Sequence, residues 1–324
     1  MADRVLMIVS IDTEEDNWYR SRERVTCDNI RELARQATFF QRFGVRPTYF
    51  TSYQVAIHPA AADVMREVGP RGEIAAHLHP WNTPPLAEAF APRNSMLKNL
   101  PLSLQLSKLQ TLTDTLDETF GIRPRAFRAG RYGLGTGTVA ALLRCGYRID
   151  SSVTPFISWE DFDDGPSFVD APLEVHRLGP RGEIIEIPLS CGFNRGPFPL
   201  WGRVRQAFDV AALRPLRLVG LAARTGICKR IVLSPELASV DEMLTLSRRL
   251  LERGVRHLHL TWHSPSLKAG LSPFTPTQAD VLRLYGLIEE YFDRLSQITS
   301  LTFVTVSEAA AILANQSRAE VVAC

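Results

Sequence analysis

Residues Val5–Asp16, VLMIVSIDTEED, constrain the fold more than any other stretch of the chain. Val5, Leu6, Met7, Ile8 and Val9 are apolar without alternation, the pattern of a central strand in a parallel sheet covered on both faces. Asp12, Glu14, Glu15 and Asp16 then stand at its carboxyl end, where α/β folds collect ligands and chemistry. An acidic turn with helix-capping duty is the plainer alternative for these four acids.

Beyond the acids, strand and helix patterns alternate. Ile30, Leu33, Ala34, Ala37, Phe40 and Phe43 recur at helical spacing before Gly44, and Thr48–Val55 reads as a second strand, followed by a helix over Ala61–Val68. Ile74–His79 is a third strand, Ser103–Phe120 a helix closed by Gly121, Arg125–Arg128 a short strand, Val139–Arg144 a helix and Tyr147–Ser152 a fifth strand. Strands and helices taken in turn predict a parallel sheet, either open and doubly wound or closed as a barrel. From Pro172 the rhythm changes, because Leu173–Leu178 and Glu183–Leu189 flank GPRG and predict an antiparallel hairpin. The pattern resumes with a helix over Asp241–Arg253, a strand His257–Trp262 ending in His263, a helix over Gln278–Leu295, a strand Leu301–Val306 and a terminal helix Glu308–Asn315. At 324 residues and 45% hydrophobic, the chain can bury one large α/β core or two ordinary ones.

Lys and Arg number 37 against 35 Asp and Glu, so the net charge of +2 gives no reason to expect a nucleic-acid partner. Basic character is local: Arg203, Arg205, Arg214, Arg217, Arg224, Lys229 and Arg230 face a single acid, Asp209. The stretch 203–230 reads either as an ordinary surface helical insert or as a peripheral membrane or anionic-substrate patch. Cys27, Cys145, Cys191, Cys228 and Cys324 are odd in number and form no C-x-x-C pair, which predicts reduced thiols and a cytoplasmic protein. The first apolar stretch is too short and too quickly acidic for a signal peptide or a membrane span.

Placed at strand ends, Asp12, Glu14, His77, His79, Arg128, Asp150 and His263 are expected around one rim. Two imidazoles and one carboxylate suffice to hold a divalent metal with open positions. A remaining carboxylate then serves as base and a distant histidine as acid. His77 and His79 are two apart, so an extended backbone points both the same way; the alternative makes one of them a core histidine. His257 and His259 form a second H-x-H, expected to alternate into the interior.

The ordered set SIDTEED, EIAAHLHPWNTPP, FRAGRYG, IDSSVTP and LTWHSPSL resembles the motifs of the NodB-homology polysaccharide deacetylases, carbohydrate esterase family four, and is most similar to the WalW-type branch associated with lipopolysaccharide gene clusters. The resemblance runs from about Val5 to Val306. It implies a deformed (β/α) barrel, here with an antiparallel hairpin and a helical insert, as a single domain over 1–324 with the insert at about 172–237. It also implies metal-dependent hydrolysis of an N-acetyl group from a sugar. By motif position Asp12 is the general base, Glu14 and His77 are metal ligands, Arg128 holds Asp12 ionised, the backbone N–H of Tyr132 faces the oxyanion and His263 is the general acid. Three departures stand out. The second histidine ligand usually lies four after the first, where this chain has Trp81, so His79 fills that role only by a shortened loop. The acids are Asp12-Thr13-Glu14 rather than adjacent, and three residues separate Arg128 from Tyr132, one more than the commonest form.

The expected cofactor is a divalent metal, zinc first. The expected partner is an acetylated sugar, lipid- or nucleotide-linked, in surface polysaccharide assembly. A metal-independent amidohydrolase on the same barrel and a non-catalytic sugar-binding relative are the alternatives.

Overall fold

The structure is a computed structural model that describes residues 4–16, 21–208 and 227–322. Strand β1, Val5–Thr13, is buried along its whole length. It pairs in parallel with β10 (His257–His263) on one side, while β2 (Thr48–Ser52) and β11 (Leu301–Val304) divide the other. The unbroken apolar run has the expected cause. Val5, Met7, Val9 and Ile11 pack into the core beneath the helices with Ile30, Leu33 and Phe40, whereas Leu6 and Ile8 pack inside the curve with Phe50, Ala75, Ala126 and Ile149. With a side-chain period of two, Ser10 and Asp12 continue the inner row.

The remaining parallel strands are β3 (Glu73–Leu78), β4 (Ala126–Ala129), β5 (Ile149–Asp150) and β7 (Ile184–Glu186), with β6 (His176–Leu178) antiparallel at the edge. The order is β10-β1-β2-β3-β4-β5-β7-β6. The sheet curls into a half-barrel, the α/β architecture expected. Single hydrogen bonds span the open side: Leu233 N–H donates to the Ser190 carbonyl at 2.9 Å, Thr261 N–H to the Leu233 carbonyl at 3.1 Å and His259 N–H to Ser190 Oγ at 2.9 Å.

Helices α1 (Glu32–Gln41), α2 (Tyr53–Ile57), α3 (Pro59–Val68), α4 (Leu102–Phe120) and α5 (Thr136–Arg144) connect the first strands. The second strand stops at Ser52 rather than Val55, because the Ser52 hydroxyl caps α2 by accepting from Val55 N–H. GPRG makes the hairpin between β6 and β7, with Gly179 and Gly182 at φ of 94° and 68°. Past it, β8 (Cys191–Phe193) and β9 (Arg230–Val232) form a separate antiparallel sheet that the sequence pattern does not suggest, and α6 (Phe198–Phe208) leaves from it. Arg214, Arg217 and Arg224 lie outside the described residues, and Lys229 is paired with Glu242. The chain closes with α7 (Val240–Glu252), α8 (Gln278–Ser296) and α9 (Val306–Val322); α7 and α8 open on reciprocal capping boxes, Ser239 with Glu242 and Thr277 with Asp280.

One buried cation shapes the loop after β3. Lys108 on α4 is fully buried; its Nζ donates to the carbonyls of Pro80 (2.8 Å), Thr83 (2.7 Å) and Pro85 (2.8 Å) and pairs with Glu88 at 3.1 Å. Arg22 Nε donates to the Trp81 carbonyl at 2.7 Å from the other side. Lys108→Met leaves those carbonyls without their donor and takes from Glu88 one of the two cations that hold it, Arg22 being the other, so urea unfolding is expected to register a loss of about 3 kcal/mol.

Candidate active site

The carboxyl ends of β1, β3, β4 and β10 surround one cavity of about 220 Å³, lined by Asp12, Glu14, His77, His79 and His263 with Trp81, Arg131, Tyr132, Trp159 and Phe162. Register explains the convergence. Asp12 pairs with His263 across β1 and β10, and His77 with Arg128 across β3 and β4, so residues far apart in sequence become rim neighbours.

Glu14, His77 and His79 form a buried cluster whose ligand atoms all lie within 4.8 Å of one another. The two Nε2 atoms are 3.0 Å apart, and Glu14 Oε2 lies 3.1 Å from that of His79 and 3.6 Å from that of His77. Each ring has its other nitrogen engaged, His77 Nδ1 with the Arg128 carbonyl at 3.1 Å and His79 Nδ1 with Glu15 Oε1 at 2.9 Å. Both Nε2 atoms are therefore left for a cation, and two imidazoles with one carboxylate form a set that fits a divalent metal. His79 does come round on its shortened loop. Its ring stacks on Trp81 at 4.2 Å, and Gly130 lies so close to it that a Cβ there would be 2.6 Å from His79 Cδ2. Burial disfavours the charged form of His79, but Glu15 and then Glu14 outweigh it and raise its pKa to about 10. Burial likewise opposes an ionised Glu14, and hydrogen bonds from His77 and His79 reverse that and hold its carboxyl well below the usual range. A cation entering here displaces a proton.

Asp12 is held by Arg128, whose Nη1 donates to Oδ1 at 2.5 Å. The guanidinium is fully buried. Its other donors reach the Ser151 carbonyl (2.9 Å), Thr261 Oγ1 (3.0 Å), Ser10 Oγ (3.0 Å) and Ser151 Oγ (3.2 Å). Burial alone raises the pKa of Asp12, but Arg128, helped by His77 and His263, brings it below the ordinary value. His259 of the second H-x-H points inward as expected; its Nε2 lies 2.8 Å from Ser10 Oγ, and burial and Arg128 together keep the ring neutral.

His263 Nε2 lies 3.9 Å from Asp12 Oδ2, and its Nδ1 lies 2.9 Å from Glu236 Oε2. Glu236 also accepts the His263 N–H at 3.1 Å and the Ser266 hydroxyl. Desolvation opposes the imidazolium, but Glu236, with Glu14 and Asp12 behind it, raises the His263 pKa to about 10. Sequence reasoning assigns no site role to Glu236 and none of its own to Glu15. Neither belongs to a spaced set of like residues, although SPEL after a short apolar strand is a readable place for an acid.

Arg131 and Tyr132 take positive φ, 54° and 58°, backbone strain of the kind found at functional turns. The Tyr132 ring stacks on Trp159 at 5.2 Å. Asp150 does not join the rim. Ile149 belongs to the inner row, so Asp150 points to the opposite face, where it bonds Ser152 and faces Glu186, whose carboxyl burial and Asp150 push far up. Asp16 has the capping duty weighed for the acids, accepting the N–H groups of Asp28 and Asn29.

No protein-family model matches the chain, and no curated protein matches it in sequence. Among solved structures, a protein from Mycobacterium smegmatis with a provisional assignment as a polysaccharide deacetylase superposes with a TM-score of 0.56 at 15% identity, covering 98% of this chain and 92% of that one. The Xyl-CE4 domain of a multidomain xylanase from the hindgut metagenome of Trinervitermes trinervoides gives 0.45 at 10%, over 94% and 89%. Peptidoglycan deacetylase PdaC from Bacillus subtilis gives 0.44 at 11%, over 99% and 96%. The first shows the fold: the chain is structurally similar to the NodB-type polysaccharide deacetylases at low sequence identity.

Because the folded pKa of His263 is raised, the stabilisation it brings is whole below about 6.5 and is lost as pH rises through about 10. In metal-free protein, NMR titration of His263 is expected near 10, with Glu236→Gln moving it down toward 6.5. A midpoint near 6.5 in the unaltered protein would contradict the pairing.

Proposed function

We propose that this protein is a metal-dependent hydrolase that removes an N-acetyl group from a sugar during assembly of cell-surface polysaccharide or lipopolysaccharide, in the manner of the WalW-type branch. The observation that carries the reading is the buried Glu14, His77 and His79 cluster beside two oppositely poised groups, Asp12 on Arg128 and His263 on Glu236.

An amide is a poor electrophile with a poor leaving group, so its hydrolysis needs a polarised carbonyl, a base for water and an acid for nitrogen. Glu14, His77 and His79 would hold the divalent ion, zinc by the donor set, and that ion would supply carbonyl polarisation and water activation. Asp12, kept ionised by Arg128, takes the proton of the attacking water. His263, kept protonated by Glu236, gives its proton to the departing amine. The backbone N–H of Tyr132 faces the developing oxyanion, a contact worth roughly 2.7–4 kcal/mol where it has been tested. Trp81, Trp159 and Phe162 offer apolar faces to the sugar ring.

The substrate is read as a lipid- or nucleotide-linked precursor, its phosphate met by the basic stretch 203–230 at a membrane surface. The reading sets this action in the cytoplasm, a compartment where thiols stay reduced.

Asp12→Asn is expected to lower deacetylation of an N-acetylated sugar by at least about 100-fold with the fold intact by circular dichroism. Chelation is expected to abolish activity and added zinc to restore it. Full activity after chelation would favour metal-independent amide hydrolysis instead.

A further inference from the structure

We propose that Glu15 sets the metal affinity of the site, as a positioning residue that accepts the Nδ1 proton of His79 and so aims His79 Nε2 at the cation. This rests on reading Glu14, His77 and His79 as a metal centre.

The two histidines are supported differently. His77 lies within β3, and its Nδ1 meets a backbone carbonyl that the sheet itself fixes. His79 lies one residue beyond the end of β3, in a turn where Asn82 and Thr83 donate to its carbonyl, so the ladder no longer sets its direction. Trp81 and Gly130 confine the ring to a slot but do not decide which nitrogen faces the site. Glu15 decides it. Its Oε1 accepts from His79 Nδ1 at 2.9 Å and from Asn82 Nδ2 at 2.5 Å, and its Oε2 accepts from Ser52 Oγ at 3.0 Å.

The Glu15 side chain is only 2% exposed, and its donors come from the end of β2 and from the histidine loop. It is thus oriented before any ligand arrives. A carboxylate on the far nitrogen fixes the tautomer and makes the ligating nitrogen more basic, and losing such a partner commonly costs 10–100-fold in metal affinity. Adjacent acids therefore divide the work: Glu14 faces the metal position directly, and Glu15 acts through His79.

The test uses full-length protein stripped of metal, with zinc affinity measured by competition against a chromophoric chelator. Glu15→Gln is expected to weaken zinc binding about 10–100-fold, with the metal-free melting temperature within a few degrees of the unaltered protein. Asn82→Ala, which removes one of the donors holding Glu15, is expected to weaken it severalfold and carries the test if Glu15→Gln does not fold. Long-range proton–nitrogen NMR of the zinc-loaded protein is expected to place the His79 proton on Nδ1, a signature that a purely structural Glu15 would not require. Zinc affinity within twofold of the unaltered protein in both variants overturns the role of Glu15 and leaves the metal centre standing. An unaltered protein that binds neither zinc nor cobalt overturns both.

Discussion

A guanidinium buried in the middle of the half-barrel is the constraint to which the other parts answer. Removing such an ion from water costs several kcal/mol even after the protein relaxes, so Arg128 must find an acceptor for each donor and a counter-charge. It finds them on four segments: Asp12 and Ser10 on β1, Thr261 on β10, Ser151 after β5, and the Phe50 ring on β2 at 4.1 Å. None of these meets Arg128 until the sheet has curled. The ionisation of Asp12 and the closure of the fold are therefore one event.

From that pair, charge alternates outward. Arg128 faces Asp12, Asp12 faces His263 at 3.9 Å, and His263 rests on Glu236. On the other flank Glu14 faces His79, which rests on Glu15. Asp12, His263 and His79 thus each lie between groups of opposite charge, the arrangement that separates an ionised acid from a protonated base at one pH. The loops that carry the second flank are fixed by cations of their own, the buried Lys108 and the half-buried Arg22, whose donors satisfy the carbonyls of Pro80, Trp81, Thr83 and Pro85.

Much of this is legible in the chain. The strands show because burial on both faces leaves an unbroken apolar run, and the site acids and histidines show because strand ends are abrupt changes from apolar to polar. Element ends are less legible, since Ser52 reads as strand by propensity and acts as a cap. The small sheet of Cys191–Phe193 with Arg230–Val232 is not legible, because its strands are three residues long and 36 positions intervene between them.

By itself the sequence determined the α/β rhythm, the hairpin and the side of the sheet on which chemistry gathers, because all three arise from local periodicity and turn composition. Only the tertiary structure decided which acids do what. Glu14 meets both rings, Glu15 supports one of them, Asp16 caps a turn, Asp150 points to the opposite face, and Glu236 crosses from a distant loop to hold His263. A carboxylate's role is set by the charge and hydrogen bonds that face it, and here most of those partners come from segments distant in sequence.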